Sequence, residues 1–432
     1  MQKTEKKTKL LSIETSCDES ALSVVLASGG FKKPKFSIVS NHVASQVDLH
    51  ATYGGVFPMM AKREHAKNLP LLLEEVLKDA RTKKAEKSHV SEKIKKTVLK
   101  LLEREGDMAK QVLLIVEKYE RPDFDLIAVT QGPGLEPALW VGLNFAKALS
   151  ILWNIPLIPI NHMEGHVLSI FMQESKGVES LKLKVESKTQ KKNRQKMIHH
   201  IYEVPKIQFP ALALLISGGH TELVLVKSWM NYTKIGRTKD DAVGEAFDKV
   251  ARMMNLPYPG GPHISALAQK CASQKSKVKS YKVKLPRPML HSGDYDFSFS
   301  GLKTAVLYLI RDLEKNHTDI LQNDGMKEAI AKEFQDAVIE VLVTKTIRAA
   351  SEYKIKTIIV GGGVAANTHI RKALAEGSQK IGTPIYFPSK DLSTDNSLMI
   401  AIAGYFRSQK KTNKKSTRKS LDALAAKGNL SL

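Results

Sequence analysis

The feature that most constrains the fold is a pattern that occurs twice: an apolar run, a short polar turn, and a second apolar run. The first copy is Leu10-Leu11-Ser12-Ile13, then Glu14 to Ser20, then Ala21 to Leu26. The second is Ala211 to Ile216, then Ser217-Gly218-Gly219-His220-Thr221, then Glu222 to Val226. Each reads as two buried strands joined by a polar turn. Two copies in separate halves of the chain predict a duplicated α/β lobe with a ligand held between the copies.

The segments around the hairpins alternate in the same sense. Helical spacing from Lys62 to Leu77 puts Ala66, Leu69, Leu72, Leu73 and Val76 on one face. The runs Leu126 to Val129 and Pro156 to Ile160 read as buried parallel strands with a helix, Ala138 to Trp153, between them. In the second half a long helix, Met326 to Tyr353, precedes the strand Thr357 to Val360, which ends in Gly361-Gly362-Gly363. The expected layout is a first lobe over 8–172, completed by a helix at about 396–408, a basic insertion or linker at 173–206, a second lobe at 207–395, and a disordered basic tail at 409–432. Two stretches interrupt the order. Lys78 to Arg121 carries a lysine-rich pair of helices, one of them Val90 to Arg104, and Lys176 to His200 is strongly basic with little apolar periodicity. Both are expected to be solvated faces or loops. Lys188, Lys191, Lys192, Arg194 and Lys196 of the second would otherwise suit RNA phosphates.

The 67 Lys and Arg against 44 Asp and Glu give +23, a field that attracts polyanions. Nucleic acid is the foremost partner class, although charge alone names no substrate. Cys17 and Cys271 form no CxxC or Cys/His zinc pattern, so neither a disulfide framework nor structural zinc is expected. The charged opening Met1 to Lys9 lacks the features of a signal peptide or presequence, and no run of about 18 apolar residues exists to span a membrane. The expected location is cytoplasmic.

His162-Met163-Glu164-Gly165-His166 directly follows a buried strand. Histidines at i and i+4 share a helical face and can reach one ion. Taken alone, the spacing is often accidental. A zinc peptidase of the HExxH kind is excluded because Glu164 is not adjacent to the first histidine. Ser217-Gly218-Gly219 and Gly361-Gly362-Gly363 both follow apolar strands, where backbone amides can approach a phosphate or sugar. Gly132-Pro133-Gly134 lacks the third glycine of a dinucleotide fingerprint, and no GxxxxGK[ST] occurs, which argues against a Rossmann NAD site and a P-loop. Glu245 and Asp248 share a helical face and suit either a ribose, a metal or plain solvation. In Ser393-Thr394-Asp395-Asn396, Thr394 or Asp395 could cap the helix that follows, or Asp395 could be an oxygen ligand beside the histidines.

In order along the chain, several blocks resemble one family. They are Ile13 to Glu19, His50 to Val56, Gly132 to Leu135, His162 to His166, Ser217 to Thr221, Gly244 to Lys249, Tyr258 to Pro262, Asp296 to Lys303, Gly361 to Asn367 and Thr394 to Asn396. The family is the tRNA N6-adenosine threonylcarbamoyltransferases of the bacterial TsaD type, formerly described as glycoproteases or O-sialoglycoprotein endopeptidases. The resemblance implies an α/β fold of the actin, Hsp70 and sugar-kinase type, two lobes of duplicated mixed sheets with a central nucleotide cleft. It implies that His162, His166 and Asp395 hold one divalent metal, Fe(2+) foremost and Zn(2+) as the alternative. Leu215, Ile216, Ser217, Gly218 and Gly219 would line the phosphate side of a nucleotide, and Asp248, Gly261 and Asn367 its ribose and base. Glu14 and Asp18 are weaker candidates for assisting catalysis.

The reaction implied transfers threonylcarbamoyl from threonylcarbamoyl-adenylate to N6 of the adenosine beside the anticodon of tRNAs reading ANN codons, releasing AMP. The implied partners are tRNA, a degenerate paralogue of the TsaB type and a small ATPase of the TsaE type. Ser12, where the family commonly has glycine, Met59, where it has glutamate, and the acidic, bulky Leu135 to Trp140 loop depart from its pattern. An ATP-dependent kinase or Hsp70-like ATPase of the same fold, or a non-enzymatic RNA-binding scaffold, are the alternatives. The first gives the histidine pair no purpose, and the second does not account for the site-like blocks.

Overall fold

The computed structural model describes residues 6–86, 90–171, 173–174, 201–203, 205–273, 283–316, 323–410 and 418–432. The basic stretch with Lys188, Lys191, Lys192, Arg194 and Lys196, and residues 411–417 of the tail, lie outside the described residues. The chain divides into two compact units: Met1–Asp48 with Val56–Pro205 and Asp395–Leu432, and Leu49–Gly55 with Lys206–Thr394.

The first unit is built on β1 (Thr8–Glu14), β2 (Glu19–Ser28), β3 (Lys35–Ser45), β4 (Leu126–Gly132), β5 (Leu157–Asn161), β6 (Gln173–Glu174) and β7 (Ile201–Glu203), in the sheet order β5-β4-β1-β2-β3-β7-β6. β1 pairs antiparallel with β2 and parallel with β4, so the first hairpin lies at the centre of a mixed sheet. Both faces are covered, which is why these strands read as unbroken apolar runs. Leu11, Ile13, Leu22, Val24, Ile127 and Val129 pack with the helices Pro58–Asp79 and Glu136–Trp153. On the other face the helix Ser397–Lys410 lies across the sheet, so close that a β-carbon on Gly404 would come within 2.6 Å of Ala128 Cβ.

The second unit holds β8 (Ala211–Ile216), β9 (Thr221–Ser228), β10 (Asn231–Arg237), β11 (Thr357–Gly361) and β12 (Ile385–Tyr386), ordered β10-β9-β8-β11-β12. The order β3-β2-β1-β4-β5 of the first unit is repeated strand for strand, including the antiparallel hairpin and the parallel β8–β11 pair. The duplication expected from the two hairpins is thus present in the topology of each unit. Leu212, Leu214 and Ile216 enter a core with Phe247, Phe334 and Val338 from the helices Val243–Met253 and Asp324–Glu352.

Three expectations are corrected. The insertion Lys78 to Arg121 holds the expected pair of helices, Glu92–Leu101 and Met108–Lys118, but is no solvated face or loop, since their Val98, Met108, Val112 and Val116 join the first unit's core. Its lysines mask an apolar repeat at helical spacing. The tail, expected to be disordered over 409–432, is helical at Arg418–Asp422 and packs onto β4, with Leu421 and Ala426 buried and Lys427 N–H donating to Gln131 O at 2.9 Å. Asp395, expected in the second lobe, belongs to the first unit, because it opens the segment leading into the helix laid over β1 and β2.

Candidate functional site

His162 and His166 sit on the short helix His162–Leu168 that starts where β5 ends. Asn161 starts it: its Oδ1 accepts from Met163 N at 2.9 Å and Glu164 N at 3.3 Å, satisfying amides that the first turn leaves open. Gly165 lets this helix meet the helix Ser397–Lys410, since a β-carbon there would lie 3.0 Å from Met399 Cγ. That second helix is capped by Asn396, whose Oδ1 accepts from Met399 N at 3.0 Å. The expected cap, Thr394 or Asp395, is therefore replaced by Asn396, and the Asp395 carboxylate faces the histidines. At the same end Ser397 Oγ and Ser23 Oγ lie 2.5 Å apart, tying the helix start to β2.

Asp395 Oδ1 lies 3.3 Å from His162 Nε2 and 3.1 Å from His166 Nε2, and the two Nε2 atoms are 3.1 Å apart. Ligand atoms about 2.0–2.2 Å from one tetrahedral ion are separated by roughly 3.3–3.6 Å, and the three atoms, 3.1–3.3 Å apart, lie just inside that spacing, so among the described residues they form a candidate three-ligand set. The donor chemistry fits too. Glu14 Oε2 is 3.1 Å from His162 Nδ1, which places the ring proton on Nδ1 and leaves Nε2 free to donate its lone pair. Glu14 is fully buried; it also accepts from Ser16 N at 2.5 Å and from Thr130 Oγ1 at 2.6 Å. Both oxygens of Glu14 are engaged within the protein, one with the Ser16 amide and the other with Thr130 and His162. Ser16 Oγ, 3.4 Å from Asp395 Oδ2, ties the same turn to the second carboxylate.

Charge at this centre is concentrated and negative. Burial would depress His162, but Asp395 and Glu14 outweigh it and push its imidazole up to about 10. His166, buried and beside His162, is pushed down. Burial would raise Asp395, yet His162 and His166 hold it well below the carboxylate range. Burial and then Asp18 push the Glu19 carboxyl and the Cys17 thiol well up. A cation relieves this crowding of carboxylates. Glu164 faces elsewhere, with Oε2 2.5 Å from Arg407 Nε, so the helix keeps its imidazoles on one side and its carboxylate on another. Asp18 is buried on the same turn as Glu14, 8% exposed.

The other expected site residues lie in the second unit. Leu215 and Ile216 are fully buried at the end of β8, so only their backbone can meet a ligand. The turn that follows is shaped by Ser217 N donating to His220 O at 2.9 Å, and Gly218 and Gly219 are open to solvent. Glycines also bring neighbouring segments together here. A β-carbon on Gly244 would lie 2.6 Å from Ser217 O, and one on Gly362 2.4 Å from Ile216 O. The turn Ser217 to Gly219, the start of Val243–Met253 and Gly361 to Gly363 thus gather at the carboxyl ends of the parallel strands β8 and β11, where α/β sheets bind ligands. Asp248 Oδ1 accepts from Gly260 N at 2.7 Å, holding the start of the helix Gly260–Ser273, whose first turn carries Gly261. Asn367 caps the helix Thr368–Lys380 through His369 N and Ile370 N, and its Nδ2 donates to Gln335 Oε1 at 3.0 Å. Glu245 pairs with Lys249 at 2.8 Å.

The links from Glu14 to His162 and from Ser16 to Asp395 were not read from the sequence, since nothing local marks contacts between such distant residues. The Asn161 cap was within reach: Asn immediately before an apolar helix, with Glu164 three residues on, is a helix-start signature.

A family model described as "TsaD: tRNA N6-adenosine threonylcarbamoyltransferase" matches residues 37–91, 107–181 and 195–402. A protein named tRNA N6-adenosine threonylcarbamoyltransferase from Staphylococcus epidermidis is 37% identical over 397 residues, covering 92% of this chain and 91% of the relative. One of the same name from Bacillus subtilis is 39% identical over 396 residues, covering 91% and 89%. Among solved structures, full-length HypF in its phosphate- and nucleotide-bound form aligns with a TM-score of 0.46 at 10% identity, over 94% of this chain and 47% of that one, a likeness too slight to bear on function.

Proposed function

We propose that this chain, which belongs to the tRNA N6-adenosine threonylcarbamoyltransferase family and is a transferase, moves a threonylcarbamoyl group from threonylcarbamoyl-adenylate to N6 of adenosine 37 in tRNAs reading ANN codons, releasing AMP. The observation that carries this reading is the convergence of His162 Nε2, His166 Nε2 and Asp395 Oδ1 within 3.1–3.3 Å of one another in a chain of this family.

His162, His166 and Asp395 would hold the metal. Two imidazoles and one carboxylate with an open position suit Fe(2+), and Zn(2+) accepts the same set. A bound divalent ion supplies Lewis-acid stabilisation of a donor oxygen and a template for the adenylate. Glu14 fixes the tautomer of His162 from behind. In the second unit the amides of Gly218, Gly219 and Gly363 suit the donor's phosphate on the turn that begins at Ser217, while Asp248, Gly261 and Asn367 frame its ribose and base. The exocyclic amine is a weak nucleophile because its lone pair is delocalised into the ring, so positioning and stabilisation of the leaving phosphate carry the rate. The amine nitrogen forms a bond to the carbamoyl carbon, the bond from that carbon to the phosphate oxygen breaks, and Asp18 takes up the proton shed by nitrogen. The basic surface holds tRNA, and the TsaB-type paralogue and TsaE-type ATPase complete the assembly.

Incubation of the chain with labelled threonylcarbamoyl-adenylate, tRNA and, in parallel reactions, the two partners, followed by digestion to nucleosides, tests the reading. Modified adenosine is expected, and His162→Ala or His166→Ala should lose bound metal and transfer together. Transfer that survives in a metal-free variant overturns the metal assignment, and ATP turnover without tRNA points to the kinase-like alternative.

A further inference from the structure

Residues 424–432 lie beyond the family match, which ends at residue 402, yet they are bound tightly to the first unit. Gln131 is gripped at two points: its carbonyl accepts from Lys427 N at 2.9 Å and its Nε2 donates to Ala425 O at 2.9 Å. Gly134 N donates to Gly428 O at 3.1 Å. The fit against Gly132 is so close that a β-carbon there would come within 1.9 Å of Lys427 O. Lys147, 5% exposed, places its ammonium 2.6 Å from Leu424 O. Finally Asn161 Nδ2 donates to Ser431 O at 3.1 Å.

Two of these anchor points adjoin the candidate metal ligands. Asn161 starts the helix that bears His162 and His166, and an amide can cap it only when Oδ1, not Nδ2, faces Met163 N and Glu164 N. The Ser431 carbonyl accepts from Nδ2 and so holds the amide in that orientation. The Gln131 to Leu135 turn is the second route. Leu135 N donates to Ser16 O at 2.8 Å, Thr130 Oγ1 donates to Glu14 Oε2 at 2.6 Å, and Ser16 and Glu14 touch Asp395 and His162.

We infer that residues 425–432 are a strap built into the metal centre, acting as positioning residues that set how tightly the His162, His166 and Asp395 site holds its ion. The inference rests on the metal reading above. Outer contacts of this kind commonly change metal affinity by about 10- to 100-fold. A chain ending at Leu424 keeps the Leu424 carbonyl for Lys147 and so retains that buried contact. The other variant is Asn161→Asp, which keeps the capping oxygen and loses the donor to Ser431.

The test is titration of metal-stripped full-length, truncated and Asn161→Asp proteins with Zn(2+), and with Co(2+) for its ligand-field spectrum, with circular dichroism as the check on folding. The truncated protein and Asn161→Asp should each bind at least about tenfold more weakly. The double variant should lose less than the sum of the two, because both changes remove the same Ser431 bond. Unchanged affinity in a folded truncated protein overturns the inference, as does faster transfer at unchanged affinity, which would make the strap a lid. A full-length chain that binds no ion at His162 and His166 overturns the metal reading and this inference with it. One that binds the ion but transfers nothing to tRNA overturns only the reaction.

Discussion

Glu14 shows how one buried side chain can tie together segments distant in sequence. Its Oε2 faces His162 Nδ1 and Thr130 Oγ1, and its Oε1 takes the Ser16 amide, so it links the first turn, β4 and the helix His162–Leu168. Glu14→Gln keeps an acceptor for the imidazole N–H but removes the negative charge that makes His162 a stronger ligand. Its metal affinity should fall by about 10- to 100-fold, measured by competition with a chromophoric chelator, while the thermal midpoint stays near that of the unaltered chain. Unchanged affinity would mean that Glu14 serves the fold alone. Asp241 is a second residue whose charge is put to use, in the other unit. Burial opposes its ionisation, but Lys249 and Lys303, each 2.8 Å away, more than offset this and lower its pKa. A depressed carboxylate contributes stability that is fully present above its unfolded value of about 3.9 and is lost as pH falls through the folded value. Asp241→Asn should therefore melt below the unaltered chain at neutral pH, with the gap closing below about pH 4. Melting curves across pH check this, and a gap that stays constant refutes it.

At the scale of elements, the candidate metal ligands His162, His166 and Asp395 meet because two helices meet. The helix His162–Leu168 touches the helix Ser397–Lys410 at Gly165, where Met399 and Ile400 fill the space a side chain would need. Gly165→Val places branched carbons against Met399 and Ile400, and overpacking of a buried contact costs about 1–3 kcal/mol. It should also push Asp395 away from the imidazoles. The expected outcome is a lower melting temperature together with metal loss, read from bound metal in purified protein. Full metal content would show that the contact at Gly165 does not set the ligand geometry. The insertion helices Glu92–Leu101 and Met108–Lys118 serve the core instead, through Val98, Val112 and Val116.

For the whole molecule, local pattern carried a good deal of information. Both hairpins, the buried parallel strands and the long helix before β11 were legible because strand and helix periods leave their mark on neighbouring residues. The repeated strand order of the two units follows from that pattern, and the i, i+4 spacing put His162 and His166 on one face. Elsewhere composition misled. Lysines hide the apolar stripe of Glu92–Leu101, and the tail's basic composition points to disorder although Leu421 and Ala426 are buried and the backbone of Lys427 pairs with Gln131. Sequence by itself determined the strands, the glycine turns and the residue types able to bind an ion. Only the tertiary structure decided that Asp395 is a neighbour of the histidines and Asn396 the cap, that Glu14 stands behind His162, and that Ser431 reaches Asn161. The physical reason is range: periodicity and capping act within a turn or two of chain, whereas these contacts are set by how helices and strands distant in sequence pack against one another.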